Sequence, residues 1–180
     1  MSPILTLELR DRRGFTLVEV LTAVAVLGVV SAIAATNFNT FFPPYRTRGA
    51  ALEIAGDMNF ARMSAIKEGR LWYFVPQAGT SYQIAFNNGG GQTVVKTVDV
   101  AADYPQVQFG ASGIANDPYG GAVGAAVPAA QIVFNSDGTV TGAAPVYVEP
   151  TTTADNSQNV VWVTPAGRIR IWHFDGTIWK

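Results

Sequence analysis

Arg13-Gly14-Phe15-Thr16-Leu17-Val18-Glu19-Val20-Leu21 opens an apolar run that continues to Ala35 and carries one ionisable residue, Glu19. Phe15 to Ala35 is 21 residues. As a helix rising ~1.5 Å per residue it would extend about 31 Å, enough to cross a bilayer core. A carboxylate in such a segment costs about 2.5–3.5 kcal/mol at mid-membrane and less near the interface. A charge of that cost has a purpose, and a partner charge on another subunit is the natural one.

The flanks bear on what kind of membrane element this is. Arg10, Arg12 and Arg13 stand just before Gly14. Positive charge there holds the N-terminus in the cytoplasm and puts everything after Ala35 on the far side. Ala32, Ala34 and Ala35 form a weak small-residue cleavage site. On physical grounds a plain anchor, a cleaved secretory signal and a more specialised segment therefore all stand.

Length and composition fit a small anchored domain. Of 180 residues, roughly 135 follow the first 14 and the membrane segment, ample for one core. The net charge is −1, and residues 15–180 alone hold nine basic and eleven acidic side chains. That is no broad basic footprint for nucleic acid. There is no cysteine, so neither a disulfide nor thiol chemistry is available.

After the apolar run, Phe41-Phe42-Pro43-Pro44-Tyr45 predicts a kink or break, because proline lacks an N–H and disfavours helix in the residue before it. The aromatics around it suit a membrane interface. Helical periodicity then resumes, with Ala51, Ile54, Met58, Ala61 and Ala65 three and four apart. Gly69 is the expected C-terminal cap and Lys67 suits the last turn. From Leu71 the pattern changes to period two. Leu71–Val75, Tyr82–Phe86 and Thr93–Val100 read as strands, with Asn87-Asn88-Gly89-Gly90-Gly91 turning between the last two. Residues 110–130, rich in Gly, Ala and Pro, read as a long surface loop. Gln131–Asn135 and Thr139–Thr141 flank the hairpin turn Ser136-Asp137-Gly138, and Val146–Glu149 is a further strand. Asn159–Thr164 and Arg168–Phe174 flank a second hairpin turn at Pro165-Ala166-Gly167. Asp175-Gly176 then turns into a short end.

Gly14-Phe15-Thr16-Leu17-Val18-Glu19 resembles the class III leader junction of type IV pilins and type II secretion pseudopilins. In that family a prepilin peptidase cuts after the glycine on the cytoplasmic face and methylates the new N-terminal residue. The resemblance implies Gly14 as the residue before the cut, Phe15 as the methylated N-terminus and Glu19 as the assembly residue. Glu19 would pair with the N-terminal amine of a neighbouring subunit. The chemistry agrees: an ammonium at Phe15 stands one helical turn from Glu19, and opposite charges attract strongly in a low-dielectric medium. Before assembly Glu19 would pair with its own terminus; afterwards, pairing between staggered helices would set the filament register. Ala61-Arg62-Met63-Ser64-Ala65-Ile66, Ile132-Val133-Phe134-Asn135-Ser136-Asp137-Gly138 and Gly167-Arg168-Ile169-Arg170-Ile171 are similar to the GspH/FimT branch. Residues 76–130 carry nothing diagnostic.

The implied fold is α+β: a long N-terminal α-helix, transmembrane half plus amphipathic half, packed on a C-terminal antiparallel β-sandwich. Its parts are a leader at 1–14, a transmembrane and assembly helix at 15–42, an amphipathic outer helix at 43–70 and a β-rich domain at 71–180. The implied partners are other pilins or pseudopilins, the prepilin peptidase, the inner-membrane assembly platform and membrane lipid. The chain would be a single-pass inner-membrane protein with a periplasmic domain, later part of a pilus or pseudopilus.

Catalysis finds little support. The one histidine, His173, shares a strand face with Ile169 and Ile171, where a packed, hydrogen-bonded histidine is the ordinary reading. No nucleophile elbow or phosphate loop is present, and Gly89-Gly90-Gly91 leads into a strand. One histidine and no cysteine leave no metal-ligand spacing, so no metal or cofactor is expected. Asp137 and Asp175 each precede glycine, as turn residues do.

DNA is the more serious alternative. Arg168 and Arg170 share one strand face, away from Ile169 and Ile171. In FimT-like pilins a Gly-Arg-x-Arg element near the C-terminus is associated with DNA uptake. By that resemblance Arg168 and Arg170 would contact phosphates; Lys180 could add a third charge, and Trp172, on the arginine face by alternation, could stack on an exposed base. The plain reading of the same residues is a charged outer face on an amphipathic strand.

Overall fold

The computed structural model describes residues 14–152 and 157–180, with the backbone alone for 34–41. The leader expected at positions 1–13, with Arg10, Arg12 and Arg13, lies outside the described residues. The chain divides into two units, residues 1–40 and 41–180.

Helix α1 runs over Leu17–Phe41. Its ladder starts with the Val20 amide donating to the Thr16 carbonyl at 3.2 Å. Its large apolar side chains point to all sides, and from Leu17 to Ile33 they are 51–76% exposed. The helical part with described side chains, 17–33, is seventeen residues. At ~1.5 Å per residue that is about 26 Å, against a bilayer core of ~30 Å. Among the described residues no helix is long and apolar enough to cross a membrane.

Helix α2 runs over Pro43–Glu68, so the break expected at the prolines falls at Phe42. Pro43 and Pro44 occupy the first helical positions, where no N–H is needed, and they cannot continue a ladder from before. Gly69 closes the helix as expected: its φ is 66° and its amide donates to the Ala65 carbonyl at 3.0 Å. Thr47, Ala50, Ala51, Ile54, Ala55, Met58, Ala61 and Ala65 are buried along one side. Alanines there let the helix backbone approach the sheets closely. Gly49 carries this further, since a Cβ on it would come within 2.8 Å of the Tyr104 ring.

One antiparallel sheet has the strand order β3-β2-β1-β5-β6. Its strands are β1 (Trp72–Pro76), β2 (Ser81–Asn87), β3 (Gln92–Asp99), β5 (Ile132–Phe134) and β6 (Val140–Thr141). The other, β4-β7-β8-β9, uses β4 (Val107–Phe109), β7 (Val146–Pro150), β8 (Gln158–Val163) and β9 (Ile169–Phe174). The buried side of α2 joins Phe74, Tyr82, Ile84, Ile132 and Phe134 of the first sheet to Val107, Val146, Val148, Val161 and Val163 of the second in one core. This is the α+β arrangement expected from the sequence.

Three details differ from that expectation. Val100 leaves β3 and begins the short helix α3 (Val100–Asp103), because the Asp99 carboxylate accepts the Ala101 amide at 3.1 Å and caps it. Strand β4 was unforeseen; its three residues are too few to show alternation. Residues 110–130 are irregular, as read, yet they do more than run over the surface. Ile114 and Val123 cover Tyr147, Val160, Trp162 and Trp172 on the far face of the second sheet. The buried Glu149 carboxylate anchors this segment by accepting from Gln108 Nε2 at 2.9 Å, the Ser112 amide at 2.7 Å and Ser112 Oγ at 3.1 Å.

Candidate functional site

Gly14, Phe15 and Thr16 precede α1 in non-helical backbone, and Phe15 is 83% exposed. Nothing within the described structure crowds Gly14. Glu19 lies in the first turn of α1, exposed. Its amide donates to Thr16 Oγ1 at 3.2 Å, while its carboxylate has no hydrogen-bond or ion-pair partner among the described residues. Thr16 thus caps the helix, in keeping with the Thr-x-x-Glu pattern of Thr16-Leu17-Val18-Glu19.

The three later stretches that carried the family resemblance meet in space. Arg62 of α2 donates from Nε to the Gly138 carbonyl at 3.0 Å, beside the second hairpin turn. Gly138 and Gly167 have φ of 83° and 77°. A Cβ at Gly167 would overlap the Gly138 carbonyl oxygen and Arg62 Nε. The Val140 amide donates to the Pro165 carbonyl at 2.8 Å, tying one hairpin to the other. Arg62 is thus a clamp between α2 and the hairpin of each sheet. The Gly167 of the Gly-Arg-x-Arg element is required by this junction whatever the arginines do.

Arg168 is exposed just before β9, and Arg170 is half-buried opposite Trp162. Neither guanidinium has a hydrogen-bond or ion-pair partner among the described residues. Lys180 does not extend the pair freely: its Nζ is 2.5 Å from Asp175 Oδ2. That ammonium, with the amides of Ile178 and Thr177, holds the Asp175 carboxyl well below the usual range. Trp172 is on the arginine side of β9, as alternation required, but its half-buried ring packs edge-on to Tyr119 at 5.9 Å. That ring is already occupied.

His173 is packed, not poised. Its Nδ1 is 3.2 Å from Asn159 Oδ1, Asn159 Nδ2 donates to Thr47 Oγ1 at 3.2 Å, and Thr47 Oγ1 donates to the Pro44 carbonyl at 3.1 Å. A carbonyl only accepts, so the direction of the whole relay is set and Nδ1 is its donor. The relay fastens β9 and β8 to the first turn of α2. Asp137 and Asp175 are turn residues, their carboxylates accepting backbone amides two and three residues on.

The prokaryotic N-terminal methylation motif matches residues 9–35. The profile of type II transport protein GspH matches residues 50–167, more than half of the chain. The chain belongs to the GspH family. The structure is similar to the minor pseudopilin EpsH from the type 2 secretion system of Vibrio cholerae, at a TM-score of 0.53 and 14% identity. That likeness covers 70% of this chain and 95% of that one. It is also similar to the type IV minor pilin FimU of Pseudomonas aeruginosa, at a TM-score of 0.48 and 15% identity, over 69% of this chain and 87% of that one. At such identities the likeness concerns the fold. No curated relative matches the sequence. This GspH-family chain is therefore a type IV prepilin-like protein. Its motif and family imply an inner-membrane-anchored subunit of a pilus or pseudopilus. Such proteins are structural subunits, not enzymes.

Proposed function

We propose that this chain is a minor subunit that primes or caps a type II secretion pseudopilus or a type IV pilus. Prepilin peptidase would cut between Gly14 and Phe15 and methylate Phe15. The helix after the cut would sit in the inner membrane with its N-terminus cytoplasmic and residues 43–180 periplasmic. The assembly platform would then draw it into a bundle with other pilin-like subunits. The observation that carries this reading is α1, whose valines and leucines from 17 to 33 are more than half exposed on every side. A helix apolar all round is stable only when lipid or other helices surround it. Glu19, the one charge there, has no partner of its own among the described residues, and a neighbour's terminal amine supplies one.

Replacing Gly14 by valine tests the first step. No atom of the described structure lies within 4 Å of a Cβ placed there, so the domain should fold and only processing should fail. Intact mass should show the leader retained and no methyl group added. A mature, methylated Gly14→Val chain would refute the cleavage assignment.

A second reading rests on Arg168 and Arg170, which have no anionic partner among the described residues. On it the chain would bind DNA at a pilus used for uptake. Duplex binding measured across a salt series should then weaken with salt and vanish in Arg168→Ala/Arg170→Ala. Absence of binding at low salt would leave those arginines as a solvated face.

A further inference from the structure

The irregular segment 110–130 makes one side of a cleft of about 290 Å³ whose other side is the second sheet. Asp117, Tyr147 and Trp162 line it, with Val127, Pro128 and Pro145 as apolar wall. No lysine, arginine or histidine is among its lining residues. Arg170 stands opposite Trp162 across the strand pair and is not part of that lining.

Each polar group here has capacity to spare. Asp117 Oδ1 accepts the amides of Tyr119 and Gly121 at 2.8 and 2.9 Å, which fixes the carboxylate, while Oδ2 has no hydrogen bond among the described residues. The Tyr147 ring is buried against Ile114, Val160 and Trp179, and Tyr147 lines the floor of the cleft. Burial, with the nearby Asp117 carboxylate adding to it, pushes that phenol up to about 12. The Trp162 ring is held by Tyr119 at 4.9 Å between ring centres.

A fixed carboxylate oxygen, a hydroxyl lone pair and the half-buried Trp162 ring are all electron-rich, and nothing cationic in the lining answers them. Ring faces attract ammonium groups within about 6 Å, most strongly where water is excluded. We propose that this cleft is a binding site for an organic ammonium group, with Asp117 as counter-charge, the Trp162 ring as aromatic wall and the Tyr147 hydroxyl as acceptor at its floor. Carboxylate and phosphate groups are disfavoured by Asp117. A lysine side chain of a partner protein and a free quaternary ammonium share this chemistry and differ in whether the cation donates hydrogen bonds.

The test uses the full chain in uncharged detergent micelles, with its four tryptophans labelled at the indole nitrogen. Trp162 is assigned by loss of its signal in Trp162→Phe. The probes are Nα-acetyl-lysine methylamide, tetramethylammonium and, as neutral control, methyl glucoside. An ammonium probe should move the Trp162 signal saturably at millimolar concentration. Asp117→Asn keeps an oxygen for the Tyr119 and Gly121 amides but removes the charge, and should weaken binding at least tenfold. Tyr147→Phe should weaken the lysine probe severalfold and tetramethylammonium little, and it carries the test if the Asn variant does not fold. Binding of the lysine probe alone identifies a hydrogen-bonding protein cation; binding of both identifies ammonium groups in general. Absence of saturable shifts with either cation, equal affinity in Asp117→Asn, or binding of the glucoside instead would overturn the proposal.

Discussion

Helices α1 and α2 differ by one residue in length, 25 against 26, and treat their apolar side chains in opposite ways. In α2 the stripe from Thr47 to Ala65 is buried, mostly alanines with Ile54 and Met58 between them, and both sheets close on it. In α1 the valines, leucines and Ile33 up to residue 33 stand exposed. At roughly 25 cal/mol per Å² of apolar surface, leaving so many large side chains in water would be very unfavourable. The first helix is built to be covered by something outside its own chain and the second by its own sheets. The contrast also sorts the charges. Glu53 and Asp57 of α2 hold Lys96 of β3 at 2.9 and 2.8 Å, whereas Glu19 of α1 has no such partner among the described residues.

The largest test of that contrast is truncation. Ile54→Ala and Met58→Ala should each destabilise the domain by about 2–5 kcal/mol, since both side chains fill the common core. Val24→Ala on α1 should leave the domain's denaturant midpoint unchanged. Equal losses from the two helices, read by urea unfolding, would erase the distinction.

A smaller effect sharpens the role of Arg62 at the outer end of α2. Gly167→Ala must place a side chain at φ 77° and against the Gly138 carbonyl, costing about 1–3 kcal/mol or more. Arg62→Ala should cost about 1.5–3 kcal/mol for its charged hydrogen bond. The two changes touch one junction, so the double variant should lose less than their sum. Strict additivity in thermal or urea unfolding would separate them.

The smallest effect is alkaline. Tyr82 donates to Asp57 Oδ2 at 2.7 Å. Burial first, then that carboxylate, raises its phenol well above the ordinary range. The unfolded chain ionises this group above pH ~10, so its contribution is complete below that pH and is lost as pH rises toward the folded value. Tyr82→Phe should flatten the decline in stability above pH ~10. An unchanged alkaline slope would mean other groups govern it.

Much of this was readable in residue patterns with a short physical range. The caps, both hairpin turns and most strands follow from glycine, proline and period-two alternation, which act within a few residues. The prepilin-like leader was legible in Gly14 to Glu19 for the same reason, and the GspH resemblance in short stretches around Ala61, Ile132 and Gly167. What escaped was set by contacts distant in sequence. Strand β4 is defined by pairing with β7, not by its own pattern. The cover that residues 110–130 form over Trp162 and Trp172 depends on Glu149, some forty residues on. Lys180 reads as a free cation until the chain turns back and Asp175 takes it. The glycine of Gly-Arg-x-Arg carries a structural duty visible only once Arg62 is seen beside it.

On the proposal above, α1 joins this chain to others of its kind through Glu19. The direct measurement is incorporation of the chain into filaments sheared from cells, comparing wild type with Glu19→Ala and Glu19→Gln. Glu19→Gln keeps the length of the side chain next to Thr16 while removing the charge. The expected result is wild-type protein in the filament fraction, with both variants processed, folded and left in the membrane. Normal incorporation of both variants would contradict the claim, and loss only in Glu19→Ala would shift the role from the charge to the polar side chain that glutamine keeps.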